Sequence, residues 1–368
     1  MIMSHLRYAA AACQTDAPNP ANRAGMRANT TRMVDMIDAA VAGAAPFLPV
    51  RLVVFPEFAH AAPVYPAVTD LLKHLTVQIP NEHTDRLHAK AREHGIYIQS
   101  GSMLEEDPKY PGVVFNTTCL IGPEGILYKY RKVNPWIPFE VHSSPHDIPG
   151  YDEPLFPVAD TKIGRLGCAI CYDWLFPEAI RQLAANGAEV LIRVSAYMDP
   201  WGATEPMNWW TLINRTRAIE NMAYVVAANQ GAALKHYPPY SWPGGSQIVD
   251  FDGRLVTEAS PGPGERIVVG PVDISALRHE RASRVGHHML SHLRPVVANV
   301  NADDELAAVP GISHDQAVML VNVGFHSLED LLQAEVNDLA AIPELNGHAA
   351  AIVEAAQAEH KRRTIGIE

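Results

Sequence analysis

The sequence of 368 residues has little cysteine, fewer basic than acidic residues and no long apolar segment, and each shortage excludes a class of protein. Four cysteines are too few for the disulfide framework of a small secreted domain, so we expect a reducing, cytoplasmic environment. No apolar run approaches the ~18 residues of a membrane-spanning helix. The formal net charge of −12 disfavours nucleic acid or an anionic membrane as a partner.

The remaining composition is that of a large folded protein. Hydrophobic residues make up 48% of the sequence and charged residues 19%, which supplies an extensive core and argues against disorder. The length predicts two domains, or one large α/β domain with an appendage. The apolar start resembles a signal peptide, but it lacks a lysine-rich first region, and we interpret Leu6–Cys13 as a first strand.

Strand signals alternate with helical patterns along most of the chain, which predicts an α/β fold. Apolar residues at three- and four-residue spacing predict helices over Asn22–Ala42, with Gly43 as the stop, and over His83–His94. A third helix is predicted over Pro177–Asn186, because proline favours the first helical position. A turn signal between Val249 and Arg254 indicates a hairpin, and hence mixed sheets. The other predicted strands are Arg51–Phe55, Ile96–Ser100, Asn116–Ile121, Gly164–Ile170, Val190–Val194, Tyr224–Asn229, Ser246–Val249 and Ile267–Val272.

A small helical domain is predicted at the end of this sequence. The segment ANVNADDE reads as a linker, so we expect a large domain over residues 1–300 and a helical domain over residues 301–368. The text LAAVP at Leu306–Pro310 recurs 33 residues later as LAAIP at Leu339–Pro343. Each copy predicts a short helix, a turn and an amphipathic helix. This unit resembles a tandem helix-hairpin-helix domain.

The charge of the helical domain bears on its partner. Such hairpins often bind DNA phosphates through glycine amides in the turn, here Pro310–Ser313 and Pro343–Gly347. From residue 301 onward there are 12 acidic and 3 basic residues, so this part carries −9 of the total −12. Because that field repels a phosphate backbone, we expect a protein contact or a structural role rather than the alternative of DNA binding.

Two cysteines lie three residues apart in GCAICYDWLFPE, and four interpretations of this stretch are open. A zinc site needs further cysteine or histidine ligands at comparable spacing, and none is evident. A redox pair normally lies at a helix N-terminus in a thioredoxin-like unit, whereas Cys168 lies inside an apolar strand. Both thiols could be small members of the core. Alternatively, Cys171 is a nucleophile on the turn into the next helix, where backbone N–H groups stabilise a thiolate or an oxyanion.

Two further stretches carry groups suited to acid–base chemistry. The strand in VVFPEFAH ends at Glu57, at the carboxyl end where α/β active sites form, and partial burial would suit this carboxylate to general base catalysis. In YKYRKVNPWIPFE, Lys132 could donate to a developing oxyanion, and Glu140 could orient that lysine or a substrate. The ordinary alternatives are a surface glutamate in a turn and a basic, solvated loop.

The order and spacing of these stretches resemble the nitrilase superfamily, also called the carbon–nitrogen hydrolases, over roughly residues 6–295. Lys132 follows Glu57 by about 75 positions, and Cys171 follows about 40 further on. The matching motifs are FPE, YRK, CYDWLFPE, RAIEN with AYVVAANQ, and GGSQIVDFDGRLV. Within the superfamily, KYRKVNPWIPFE and GAEVLIRVSAYMDP are most similar to the aliphatic amidases and formamidases.

The resemblance implies a four-layer αββα sandwich and an amidase that works through a cysteine thioester, without a metal or an organic cofactor. It also implies a homodimer or a larger homo-oligomer that pairs through the helices after the nucleophile. The implied site residues are Glu57 as general base, Cys171 as nucleophile, Lys132 and the backbone N–H of Tyr172 as oxyanion donors, Glu140 as a group that positions lysine and substrate, and Trp136 and Tyr197 as pocket walls.

Departures from the amidase pattern leave the substrate open. Tyr172, rather than a second acid, follows the nucleophile, and the segment Val141–Gly150 is longer than expected. The segment FAHAAPVYPAV after Glu57 also differs from the corresponding segment of the amidases. Because these loops line the pocket in the superfamily, an N-carbamoyl amine hydrolase and a nitrilase are alternatives. A non-enzymatic scaffold acting through the helical tail is a further alternative, although a scaffold has no use for the three chemical groups.

Overall fold

The structure is a computed structural model that describes residues 6–136, 140–198, 202–236, 242–293, 306–322, 325, 328–334, 336–340, 345 and 347–365. The chain divides into two compact units, residues 1–283 and 284–368. The predicted boundary at residues 300 and 301 lies outside the described residues. No helix within the described ranges is long and apolar enough to cross a membrane.

Within these ranges, twelve strands form two six-stranded mixed sheets. The first sheet has the order β12-β1-β2-β3-β4-β5 and the second β11-β10-β9-β8-β7-β6. The parallel pairs lie at the centre of each sheet, as β1-β2-β3 and β7-β8-β9. The strands are β1 (Arg7–Gln14), β2 (Val50–Val54), β3 (Tyr97–Glu105), β4 (Phe115–Gly122), β5 (Gly125–Arg131), β6 (Val158–Thr161), β7 (Gly164–Ile170), β8 (Val190–Ser195), β9 (Tyr224–Asn229), β10 (Gln247–Val249), β11 (Leu255–Glu258) and β12 (Arg266–Asp273).

Asparagine side chains cap the start of two of the helices of the large unit. The described helices of this unit are α1 (Arg23–Ala44), α2 (Val68–His74), α3 (Glu82–His94), α4 (Pro177–Ala185), α5 (Trp209–Asn221) and α6 (Ile274–Ser283). The Asn22 side chain accepts a hydrogen bond from the first turn of α1, and Asn81 forms a capping box with Thr84 at the start of α3. The predicted stop at Gly43 is wrong, since α1 continues to Ala44. Glycine can adopt helical geometry, so Gly43 does not end α1. The helix ends just before Pro46, which has no backbone N–H to donate the next helical hydrogen bond.

The predicted αββα sandwich is confirmed, and strand β1 shows its layers, because alternate side chains of β1 belong to two different cores. Ala9, Ala11 and Cys13 belong to the core that the first sheet forms with α1 and α3. Ala10 and Ala12, on the opposite face of the strand, belong to the core shared with the second sheet and with α4. Because both faces are covered, the strand reads as one continuous apolar run. Each large aliphatic side chain buried in this way stabilises the fold by roughly 1.5–3 kcal/mol.

The C-terminal unit is the predicted helical module. Its described helices are α7 (His314–Asn322), α8 (Leu328–Gln333), α9 (Val336–Ala340) and α10 (Ala349–Ile365). They enclose a separate core that includes Leu320, Leu331 and Ile352. The first predicted turn is present, with Gly311 at a φ of 98°, a conformation that glycine adopts without strain. Most of the second predicted turn lies outside the described residues.

Candidate active site

Three of the predicted site residues lie within three residues of the end of a strand. Glu57 follows β2, Lys132 follows β5, and Cys171 follows β7. The first two strands belong to the first sheet and β7 belongs to the second, so the site lies where strand ends of the two sheets meet. Cys171 opens a 3-10 turn at a φ of 47°, in the left-handed region. A non-glycine residue there costs about 1–3 kcal/mol, and such strain concentrates at functional positions.

Lys132 joins two buried carboxylates. Its Nζ donates to Glu57 Oε1 at 2.9 Å and to Glu140 Oε1 and Oε2 at 2.7 and 2.8 Å. The exposed fractions of the three side chains are 0% for Lys132, 1% for Glu57 and 8% for Glu140. One cation between two anions leaves a formal charge of −1 in a nearly water-free site, where electrostatic interactions act more strongly than in water.

The neighbouring carboxylates keep Lys132 in its charged form. Burial alone would lower the pKa of its ammonium group, but the charges of Glu140 and Glu57 outweigh burial and raise that pKa well above its ordinary value. A lysine that is charged at every working pH cannot accept a proton. It can only donate hydrogen bonds and stabilise negative charge.

The Glu57 carboxylate is fixed by donors from both sheets. Asn116 Nδ2, on β4, donates to Oε1 at 2.9 Å, and the backbone N–H of Ala196, just after β8, donates to Oε2 at 2.9 Å. The Gln230 side chain donates to the Glu57 carbonyl oxygen at 2.8 Å. These hydrogen bonds fix the orientation of the Glu57 carboxylate, which a group that transfers protons requires.

The Cys171 thiol is neutral in this arrangement. Burial raises its pKa, and the charge of Glu57 raises it further, while the charge of Lys132 acts in the opposite direction. The net effect places the pKa of Cys171 well above its ordinary value. The thiol therefore becomes a nucleophile only if a base takes its proton, and Glu57 is a carboxylate whose charge reaches the thiol.

Asp173 holds the turn that carries Cys171. Its Oδ2 accepts from the Tyr130 hydroxyl at 2.7 Å and from the Ile170 N–H at 3.0 Å, and its Oδ1 accepts twice from Asn134. Burial raises the pKa of Asp173 to about 6, although the bonds from Tyr130 and Asn134 act against that shift. The bonds tie the turn after β7 to the segment after β5, so they align nucleophile and lysine.

The other three predicted site residues, Trp136, Tyr197 and Tyr172, have different surroundings. The backbone N–H of Trp136 donates to Glu140 Oε2, so this residue lies at the cluster. The Tyr197 ring stacks on Trp210 at 6.4 Å, and burial raises the pKa of its phenol to about 12, although the charge of Arg193 acts against that shift. The half-buried Tyr172 packs edge-on against Phe176, 5.1 Å away, at the start of α4.

Three residues at the site escaped sequence reasoning. Asn116 donates to Glu57, and its own Oδ1 has no hydrogen-bond partner within the described ranges. Arg193 is fully buried on β8, with its guanidinium 4.3 Å from the Trp210 ring centre and 5.4 Å from that of Tyr197. His142 lies 3.5 Å from Glu140. A lone arginine within VLIRVS was the clearest available signal, since charge is rare inside a buried strand.

A cluster of groups able to ligate a metal lies away from these residues, between α1 and α3. Among the described residues, only Asp38, Glu93 and His94 form such a set. Lys90 Nζ lies 2.8 Å from Asp38 and 2.9 Å from Glu93, so an ammonium group already pairs with both carboxylates. This arrangement is that of a surface ion-pair network.

The αββα sandwich with a Glu–Lys–Glu cluster beside a cysteine elbow defines a hydrolase of the nitrilase class. The chain belongs to the carbon-nitrogen hydrolase family, whose profile matches residues 9–281. A second profile, the SAM-like helix-hairpin-helix tandem, matches residues 302–357. Both predicted resemblances are thereby confirmed.

Relatives and solved structures agree with this assignment. A formamidase of Bacillus cereus strain Q1 is 30% identical over 261 residues, which cover 70% of this chain and 72% of the relative. A formamidase of B. cereus strain B4264 is 31% identical over 218 residues, 58% of this chain and 60% of the relative. Among solved structures, Saccharomyces cerevisiae Nit3, a member of branch 10 of the nitrilase superfamily, has a TM-score of 0.63 at 28% identity, covering 78% of this chain and 97% of Nit3.

A further similar structure is a mutant of the amidase from Nesterenkonia sp. AN1 that shows Michael addition of acrylamide at the active site cysteine. Its TM-score is 0.55 at 25% identity, and the match covers 76% of this chain and 97% of the amidase. The relatives thus include formamidases, an amidase and a Nit protein, and they define a carbon–nitrogen hydrolase without fixing its substrate.

Proposed function

We propose that the protein is a thiol amidase that hydrolyses a small linear carboxylic amide to the acid and ammonia through a thioester on Cys171. The observation that carries the proposal is the buried Lys132 ammonium, bonded to Glu57 and Glu140 at the strand ends that also present the strained Cys171. The similarity to formamidases supports the amide as substrate class.

Acylation begins at the neutral thiol. Glu57 takes the proton from Cys171 Sγ, and the thiolate attacks the amide carbonyl carbon as the C=O π electrons move to oxygen. Lys132 and the backbone N–H of Tyr172 donate to this oxyanion, and removing one such donor typically costs about 2.7–4 kcal/mol. Glu57 then passes its proton to the amide nitrogen. The C–N bond breaks, and ammonia leaves.

Deacylation repeats the chemistry with water. Glu57 takes a proton from a water molecule, whose oxygen attacks the thioester carbonyl, and the same donors stabilise the second oxyanion. The C–S bond breaks, and the Glu57 proton returns to Cys171 Sγ. The sum is amide plus water to acid plus ammonia, with the enzyme restored. Glu140 keeps Lys132 oriented and accepts from the substrate amide, while Trp136 and Tyr197 form pocket walls.

The proposal is tested by ammonia release from a panel of formamide, short aliphatic amides, aromatic amides, N-carbamoyl amines and nitriles. We expect turnover of formamide and short aliphatic amides above all others, because the similar proteins include formamidases. Turnover of N-carbamoyl amines alone, with CO2 released beside ammonia, would reassign the substrate while retaining the three chemical groups. Activity on nitriles alone would likewise reassign the substrate. The absence of ammonia release from every compound of the panel would contradict the proposal.

We also propose that the protein is a homodimer or larger homo-oligomer that pairs through α5. Trp209, Leu212 and Ile219 lie on one face of this helix with exposed fractions of 42%, 58% and 39%. A contiguous apolar face of this kind marks an association surface. We expect Leu212→Glu to halve the molar mass measured by light scattering. The same change at Phe47, an exposed residue after α1, should leave the mass unchanged, and a monomeric wild type would end the proposal.

A further inference from the structure

A buried histidine beside the catalytic cluster has no hydrogen-bond partner among the residues that the structure describes. The His142 side chain is 0% exposed, and neither ring nitrogen forms a hydrogen bond within that part of the chain. The backbone around it is fixed, since the N–H of Ser143 donates to the Val114 carbonyl at 2.8 Å. Buried polar atoms without partners are rare in folded proteins, because each loses its bonds to water and gains nothing in return. A ring with two such atoms therefore costs stability.

The charges around His142 keep its ring neutral. Burial lowers the pKa of His142 to about 3, and the positive charge of Lys132 lowers it further, while Glu57 acts in the opposite direction. Glu140 is the third charged group that faces the ring, with its Oε2 3.5 Å from Nε2. A neutral imidazole carries one N–H and one lone pair. It can therefore donate one hydrogen bond without adding a charge that competes with Lys132.

All the N–H donors of Lys132 are already used by the two carboxylates, and this decides where a hydrogen bond from His142 would act. An ammonium group carries three N–H donors. The three acceptor atoms that they contact are Glu57 Oε1, Glu140 Oε1 and Glu140 Oε2. An oxyanion that bonds to Lys132 must take one of these donors from a carboxylate. Glu140 Oε2 also accepts from the Trp136 N–H, so after the loss of Lys132 it would keep one donor, and a further donor stabilises its charge in a nearly dry site.

We infer that His142 is a positioning residue that acts through Glu140, an inference that rests on the proposed hydrolysis at Cys171. As the oxyanion forms and Lys132 turns toward it, the Nε2–H of His142 donates to Glu140 Oε2. The 3.5 Å separation closes to an ordinary hydrogen bond of about 2.9 Å, a movement that side-chain adjustment provides. The bond forms in the transition state and not in the resting enzyme, so it serves kcat rather than substrate binding.

The experiment compares three variants that differ in where they place a donor. The amide nitrogen of glutamine reaches the position of Nε2, that of asparagine reaches the position of Nδ1, and leucine offers no donor. We expect His142→Leu to lower kcat by about tenfold with little change in KM. His142→Gln should recover most of the lost kcat, and His142→Asn should not. The pH profile of kcat should keep its shape in all variants, because the ring is neutral.

Thermal unfolding separates this role from a structural one. His142→Leu removes two unpartnered polar atoms, so its melting temperature should be no lower than that of the wild type. His146→Leu, an exposed histidine in the same segment, is the matched control and should change neither kcat nor the melting temperature. A clearly lower melting temperature in His142→Leu would mean that the ring serves packing, which would overturn the inference without any assay of turnover.

The kinetic comparison uses whichever member of the panel the wild type hydrolyses. Failure of the proposed amidase would show as a wild type inactive on every amide. Failure of the inference would show as wild-type kcat in His142→Leu, or as equal losses in the glutamine and asparagine variants. The two failures are therefore distinguishable.

Discussion

The Cys171→Ala variant is expected to lose turnover by a factor on the order of 10⁴ or more, because no other group can form the thioester. The other thiols are Cys13, Cys119 and Cys168, all buried in the apolar cores with an exposed fraction of 0%. Burial raises the pKa of each of them above its ordinary value, so none supplies a thiolate. The measurement is ammonia release under saturating substrate, with the wild type alongside.

Cys168→Ala is the matched control for that change. Cys168 lies on β7 three residues before the nucleophile, and its Sγ donates only a weak bond to the Ala169 carbonyl at 3.7 Å. Its truncation should cost roughly 1–2 kcal/mol of unfolding free energy, as for other small cavities, while kcat stays near the wild-type value. A comparable loss of turnover in both variants would indicate damage to the strand rather than loss of a nucleophile.

Intact-mass analysis during turnover adds a direct readout. We expect one acyl group on the wild type, located on Cys171 by peptide mapping, and none on Cys171→Ala. An adduct on a different cysteine would contradict the assignment, whatever the kinetic result. Acyl-enzyme that accumulates would also show that deacylation limits the rate.

The strands that sequence reasoning predicts best are those buried on both faces. Gly164–Ile170 and Tyr224–Asn229 are confirmed residue for residue, since mostly apolar runs between two covered layers have little choice of structure. The edge strands β5 and β6 were missed, because their residues are partly exposed and mix polar with apolar types. Strand β11 was predicted only as the partner in the hairpin after Val249, which the antiparallel pairing of β10 and β11 confirms. Helix α5 was missed as well, although its RAIEN text served to identify the superfamily.

The site divides in the same way. The structure brings Glu57, Lys132 and Glu140 together as the order of the motifs predicted, while their catalytic roles stay a prediction. The supporting groups depend on contacts between residues far apart in sequence: Asn116 lies 59 positions from Glu57, and Ala196 lies 139 positions from it. The local sequence does not predict the burial of His142 or its lack of a hydrogen-bond partner among the described residues, since its surroundings come from other segments.

The Lys132→Met variant is expected to combine a large loss of stability with a large loss of activity. Methionine keeps much of the length of lysine and removes the charge, which leaves the buried carboxylates of Glu57 and Glu140 facing each other without a cation. Removing one partner of a buried ion pair typically costs about 3–5 kcal/mol. The loss of the oxyanion donor alone should lower kcat by about 10²–10³.

The stability loss should depend on pH in a direction that identifies its cause. Without Lys132, repulsion between the two buried carboxylates raises the pKa of one of them in the folded state. A carboxyl group whose pKa is higher in the folded state than in the unfolded state gains stability as the pH falls, because folding then binds a proton. The deficit of Lys132→Met against the wild type should therefore be larger at pH 8 than at pH 5 in denaturant titrations.

Lys109→Met supplies the control, since Lys109 is 48% exposed and paired with Asp152 at the surface. An ion pair at the surface is screened by water and contributes little, so this variant should lose little stability, and its deficit should not grow between pH 5 and pH 8. A pH-independent deficit in Lys132→Met would mean that packing around the methionine, and not unpaired charge, causes the loss. The Glu57–Lys132–Glu140 cluster would then be a structural salt bridge, and the assignment of Lys132 as oxyanion donor would rest on the kinetic loss alone.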